Sequence, residues 1–282
     1  MNRIIRLIRE FLIRLKEDHV SAYASQAAFF LILSAFPFLI LVLTLINFLP
    51  ISQADFILVL RNILPNEIEE WLLAIVMEML RTPGHTLMSF SILVALWSAS
   101  RGLLSISNGL NSVYRTEESR SYFVLRGIAT IHSLILAAAL LVLLVVFVFG
   151  NSLYQLIKNQ IPFMNDVATL IISIRVVVGF VLLFFMFVVM NKGLPNHKLT
   201  LRQATPGALF SAITWMIVSF GFSVYVNHFS NYSRIYGSLT GIAIAMVWVY
   251  LMMNLVLWGA EINAYIMENY PEKVASRKRK KV

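Results

Sequence analysis

The sequence predicts an all-α protein, a polytopic membrane helix bundle with about six transmembrane helices plus surface amphipathic helices. Three observations predict it. Six apolar runs are each long enough to cross roughly 30 Å of hydrocarbon, which takes about 20 helical residues. The composition is 59% hydrophobic and 13% charged, where a soluble domain holds roughly 45–50% and about 25%. Basic residues also crowd into alternate connectors, the pattern of chains inserted in one orientation.

The elements follow in order. Residues 1–19 form a basic amphipathic segment. Ile4, Leu7, Ile8, Phe11, Leu12 and Leu15 share one helical face, with Arg3, Arg6, Arg9, Glu10 and Lys16 off it. Such a helix lies on the inner leaflet or packs on the ends of the spans. It is not a signal peptide, because the apolar run after it is too long and no cleavage site follows. Residues 20–267 form the membrane domain, with spans at 22–49, 86–109, 126–150, 167–190, 204–227 and 237–266. The outer connector, 50–85, contains an amphipathic helix capped by Asn66, with Glu67, Glu69 and Glu70 at its dipole's positive end. Residues 268–282 form a basic tail suited to anionic headgroups.

Charge sets the orientation. Seventeen of the 23 basic residues fall on one side: the N-terminal segment, the connectors after the second and fourth spans, and the tail. Only Arg61, Arg81, Lys158 and Arg234 fall on the other, and Arg101 and Arg175 lie inside spans. This bias predicts a multi-pass protein of the cytoplasmic membrane with both termini cytoplasmic. It also explains the net charge of +9 as a membrane-surface feature, with no nucleic-acid partner.

Within the spans a few residues stand out. Ser98, Gly102, Ser105 and Gly109 form one small-residue stripe on the second span, suited to close helix packing. Leu96, Leu103 and Leu110 lie roughly opposite and are expected to face lipid. Gly237 and Gly241 form a second packing pair, and Pro37 is expected to kink the first span. Thr205-Pro206 reads as a helix cap with proline in the first turn. His132, alone near the start of the third span, reads as a hydrogen-bonded packing residue.

Arg101, Glu261, Asn254, Tyr250 and Arg175 are the candidate intramembrane polar site. Tyr250, Asn254, Glu261 and Tyr265 make a polar stripe on the last span, and Glu261 is the acidic residue placed within a span. A charge at that depth normally has a partner. Arg101 and Glu261 are therefore expected in direct or water-bridged contact, as a staple between helices or as the lining of a polar cavity. Arg175, about 13 Å into the fourth span, either snorkels outward or joins that cavity.

Other chemistry is missing from the sequence. There are no cysteines, so disulfides and thiolate chemistry are excluded. The five histidines sit on separate segments, and the aspartates are Asp18, Asp55 and Asp166. No HExxH, P-loop or GxSxG pattern occurs. The sequence nominates no catalytic residue, metal site or cofactor, and points away from an enzyme.

Three stretches carry a family resemblance. They are Ala27-Ala28-Phe29-Phe30 through Leu33-Ser34-Ala35-Phe36-Pro37; Leu96-Trp97-Ser98-Ala99-Ser100-Arg101-Gly102 with Leu110-Asn111-Ser112-Val113-Tyr114; and Tyr236-Gly237-Ser238-Leu239 through Trp248-Val249-Tyr250 to Gly259-Ala260-Glu261-Ile262-Asn263-Ala264. Over residues 20–267 the chain resembles the YihY / virulence factor BrkB family, also labelled ribonuclease BN-like. The resemblance implies a six-span cytoplasmic-membrane protein and no settled activity. The nuclease label needs a metal cluster that these residues do not provide. The leading expectation is a non-ATP-driven transporter or lipid-handling protein, with the lipid bilayer and its anionic headgroups as partners and an anionic amphiphile as substrate. A membrane scaffold without transport is the alternative, a membrane-bound nuclease or hydrolase the third; oligomeric state is left open.

Overall fold

A computed structural model describes residues 3–46, 85–160, 166–228 and 240–269, with scattered positions over 54–77. Side chains are described for 5–35, most of 93–142, 176–226 and 241–269. Among the described residues the regular structure is all helical: α1 (Arg3–Glu17), α2 (Val20–Ile46), α3 (His85–Val113), α4 (Tyr122–Gln160), α5 (Asp166–Gly193), α6 (Leu201–His228) and α7 (Thr240–Asn269). Four stretches are long and apolar enough to cross a membrane: Tyr122–Ala139, Val176–Gly193, Leu201–Val226 and Gly241–Asn269. α2 adds a shorter apolar run, Val20–Ala35. The architecture is a membrane helix bundle.

α2, α3 and α7 form its packed centre. α2 lies against α3, and α7 touches α2, α3 and α6. α4 packs on α3 and α5, and α5 on α6. The small residues of α3 bring the centre together. Ser98 and Ser105 are buried, and a Cβ on Gly102 would stand 3.0 Å from Leu31 Cγ and 3.3 Å from Ala27 O. A Cβ on Gly109 would stand 3.0 Å from Tyr23 Cβ and 3.1 Å from Leu257 Cδ1. The leucines expected to face lipid do not all do so: Leu103 and Leu110 are buried in the core. The reason is that α3 is enclosed by α2, α4 and α7, so most of its circumference meets protein. Its lipid face is instead a narrow ridge holding Leu93 and Trp97, both exposed.

α1 turns sharply into α2 at His19, which takes the left-handed backbone conformation with φ of 52°. This folds α1 back over α2 and α7. Phe11 meets the Trp258 ring edge-on at 6.4 Å, while Ile5, Ile8 and Leu12 stay exposed. The apolar face of α1 is thus divided between protein and surroundings.

α6 begins earlier than Thr205-Pro206 suggests. Thr200 caps it: its N–H and Oγ1 both donate to Gln203 Oε1 at 2.8 Å. This is the glutamine half of a capping box, six residues before Pro206. Pro206 sits inside the helix, where it removes one donor from the backbone ladder. The next N–H, of Gly207, is taken by Asn263 Oδ1 of α7 at 2.7 Å. Here α6 and α7 cross backbone to backbone: a Cβ on Gly207 would lie 1.9 Å from Gly259 O. Ser211 Oγ donates to Leu255 O at 2.9 Å across the same contact. Gly241 is buried on α7; Gly237 lies outside the described residues. α2 runs through position 37, and the Pro37 side chain lies outside the description, as does the helix expected after Asn66.

Candidate functional site

One end of the bundle gathers α1, the connector between α3 and α4, the connector between α5 and α6, and the last turns of α7. Its polar groups fall into three clusters.

The first joins helix ends. Asn263, fully buried, accepts from Gly207 N and reaches Ala204 O at 3.3 Å and Tyr114 Oη at 3.4 Å. Tyr114 Oη donates to Asn191 Oδ1 at 3.0 Å. Asn111 Nδ2 donates to Glu118 at 2.8 Å, and Asn111 Oδ1 accepts from Asn196 N at 2.7 Å. Arg120 pairs with Glu118 at 2.6 Å and donates to Leu194 O at 2.8 Å. The hydrogen bond from Arg120 holds the Glu118 carboxyl down at about 2. Because Asn111, Tyr114, Asn191 and Asn263 are buried and paired, the cluster fixes four helices and both connectors.

The second is a charged junction between α1 and α7. Glu261 is completely buried, and Arg14 reaches its Oε1 at 3.4 Å. The same guanidinium meets Glu268 at 2.5 Å and lies 5.4 Å from the Tyr265 ring centre. The Asp18 carboxyl faces Glu261, and Arg115 is near Asp18. Burial raises the Asp18 carboxyl above its ordinary range. Glu261 Oε2 is buried with no donor. Two facing carboxyls satisfy each other only when a proton lies between them, so this junction is a place to hold one.

The third is a basic, aromatic edge on α2, α3 and α4. Arg101 stacks against Trp97 at 5.2 Å and Phe30 at 5.8 Å. Its Nε is buried without an acceptor. Trp97 is 51% exposed, so this edge is open to whatever surrounds the bundle. Stacking of a guanidinium on such rings is worth about 0.5–2 kcal/mol.

The expected direct contact between Arg101 and Glu261 is therefore corrected. Glu261 is paired with Arg14, and no ion pair joins it to Arg101. The physical reason is the fold-back of α1, which delivers a cation to the end of α7, while Arg101 points to the α2 and α4 side of α3. Asn254 is buried and donates to Tyr250 O at 2.8 Å, within its own helix. Tyr250 is half-buried beside the core. The Arg175 side chain lies outside the described residues. His132 bonds Ile128 O at 2.8 Å through Nδ1 and packs on Gly193, whose Cβ would lie 2.4 Å from Nε2. Among the described residues no group of three or more His, Cys, Asp or Glu is placed to hold a metal ion.

Sequence reasoning missed Arg14, Asp18, Arg126 and Asn263 as site residues. Arg14 and Arg126 read as ordinary connector charges. Asn263 carried a usable signal: it lies two residues after Glu261 on one of the three family-like stretches.

Helices fit to span a membrane, tied at one end by buried polar groups and carrying stacked arginine at an aromatic edge, define a polytopic membrane protein. The chain belongs to the virulence factor BrkB family, which it matches over residues 11–282. It is 37% identical to the ribonuclease-like protein YfkH of Bacillus subtilis over 243 residues, 86% of this chain and 88% of that protein. It is 26% identical to a UPF0761 membrane protein of Alteromonas mediterranea over 287 residues, covering 96% and 91% of the two chains. A UPF0761 membrane protein of Pseudoalteromonas translucida is 38% identical over 99 residues, 34% of this chain and 31% of that one. No solved structure matches.

Proposed function

We propose that this protein handles anionic amphiphiles in the cytoplasmic membrane, as a transporter not driven by ATP or as a lipid-handling protein, with its basic end facing the cytoplasm. One observation carries the reading: Arg101 stands at a partly exposed aromatic edge with no acidic partner among the described residues. A guanidinium stacked on rings at an apolar edge favours an anion with an apolar body. The proton-holding junction of Asp18 and Glu261 offers a means of coupling on the same end of the bundle.

The test is movement of fluorescent anionic and neutral phospholipids between the leaflets of proteoliposomes containing the full chain. The reading expects faster movement of the anionic lipid than in protein-free vesicles, and slower movement for Arg101→Ala. Rates equal to those of empty vesicles overturn it. The alternative of a scaffold is favoured by the backbone contact of Gly207 with Gly259, which suits a rigid bundle.

A further inference from the structure

Arg101 is not the only cation on the aromatic edge. Arg126, from the first turns of α4, donates through Nη2 to Trp97 O at 2.8 Å. Its guanidinium carbon lies 5.5 Å from the centre of the Trp97 ring, and that of Arg101 lies 5.2 Å from the same ring. Arg126 Nη1 and Arg101 Nε are both buried and both lack an acceptor. No carboxylate pairs with either among the described residues. Two guanidinium groups on one indole repel each other, and both side chains are only partly buried, so the open part of the pair calls for an acceptor with several oxygens and a negative charge. Phosphate meets both needs, because its oxygens accept paired N–H groups from arginine.

The surroundings indicate what bears that phosphate. Phe29 and Leu33 on α2, Leu93 and Trp97 on α3, and Ile131 on α4 are all exposed apolar groups. Gly127, beside Arg126, has nothing within 4 Å of where a Cβ would stand, so the surface is open there. Tyr122 and Phe123 are exposed about one turn before Arg126, as an aromatic belt at a membrane interface is. The arginine pair thus lies at headgroup depth, with apolar surface on the hydrocarbon side. A small soluble anion has no use for that surface, whereas acyl chains do.

We propose that Arg101, Arg126 and Trp97 form a binding site for the phosphate of an anionic phospholipid that enters sideways from the bilayer along α2, α3 and α4. This rests on the amphiphile reading above and adds the second cation, the ligand group and the route.

The test is native mass spectrometry of the full chain in detergent, titrated with phosphatidylglycerol, phosphatidylcholine or inorganic phosphate. Wild type is expected to retain phosphatidylglycerol about tenfold better than phosphatidylcholine, the scale of one charge-assisted contact. Arg101→Gln with Arg126→Gln is expected to lose that preference, and the corresponding lysine pair to keep part of it, since charge survives without the planar fork. Inorganic phosphate is expected not to displace the lipid. Equal retention of the two lipids by wild type overturns the proposal, and this arm needs no variant to fold. Unchanged phosphatidylglycerol retention in the glutamine pair also overturns it. Displacement by inorganic phosphate assigns the site to the free ion and overturns the lipid. A binding preference without leaflet movement in vesicles fells the transport reading and leaves the site standing. Leaflet movement with no binding preference does the reverse.

Discussion

Glu261 is bonded in the interior by Arg14 alone among the described cations, and Arg14 keeps 20% of its side chain exposed. Removing one partner of a fully buried pair costs roughly 3–5 kcal/mol, because a charge is left uncompensated. Here part of Arg14 is in water, so Arg14→Met should cost about 2 kcal/mol, read as a lower thermal midpoint in detergent. Adding Glu261→Gln should restore most of the loss; a double variant as unstable as the single would refute the pairing. Asp18 has the opposite sense. Burial raises its carboxyl above the unfolded value, so its ionisation opposes folding at neutral pH. Stability from this group grows as pH falls through the raised value and is complete below the unfolded one. Asp18→Asn should therefore raise the thermal midpoint at pH 7 and flatten its rise as pH falls from neutral toward the ordinary carboxylate range. Glu118 runs the other way again. Its carboxyl is held at about 2 by Arg120, so its contribution is present above the ordinary carboxylate range and is lost as pH falls toward about 2. The Glu118 carboxyl-carbon shift should stay flat through that ordinary range. Sequence alone marked Glu261 as an ionisable group needing a partner. It could not choose Arg14 over Arg101, because both are one helix face from the interior and only the fold-back at His19 decides between them.

Helix packing was partly legible. The stripe of Ser98, Gly102, Ser105 and Gly109 is placed where α2 and α7 come closest to α3, a use of small residues that periodicity can suggest. The burial of Leu103 and Leu110 was not legible, because a helical wheel gives faces without saying how many neighbours enclose them. The tight approach of Gly207 to Gly259 also escaped the sequence: the two glycines lie on different helices, and the pair exists only across the crossing. Its consequence is sharp. Gly259→Ala or Gly207→Ala would drive a methyl into backbone, so the cost should exceed the about 1–3 kcal/mol of ordinary overpacking. The expected result is little folded protein on size-exclusion chromatography. Gly221→Ala, on α6 with nothing within 4 Å, should be neutral or stabilising by up to about 1 kcal/mol. Equal behaviour of the two α6 variants would contradict the crossing.

For the whole molecule, the absence of cysteine makes orientation directly measurable. Glu117→Cys, in the exposed connector between α3 and α4, should react with an impermeant maleimide only in inside-out vesicles. Ala54→Cys should react only in right-side-out cells. The reverse result would overturn the charge-based orientation. The class of molecule followed from sequence: a composition of 59% hydrophobic residues in long runs leaves a helical bundle as the structure able to satisfy its backbone in lipid. Hydropathy and charge bias are properties of segments, summed along the chain, so they survive without knowledge of neighbours. Which charged group meets which is a property of helix rotation and order around the bundle. Only the tertiary structure placed Arg14 on Glu261 and left Arg101 beside Arg126 at the aromatic edge, because those contacts join residues far apart in the chain through faces that no single helix specifies.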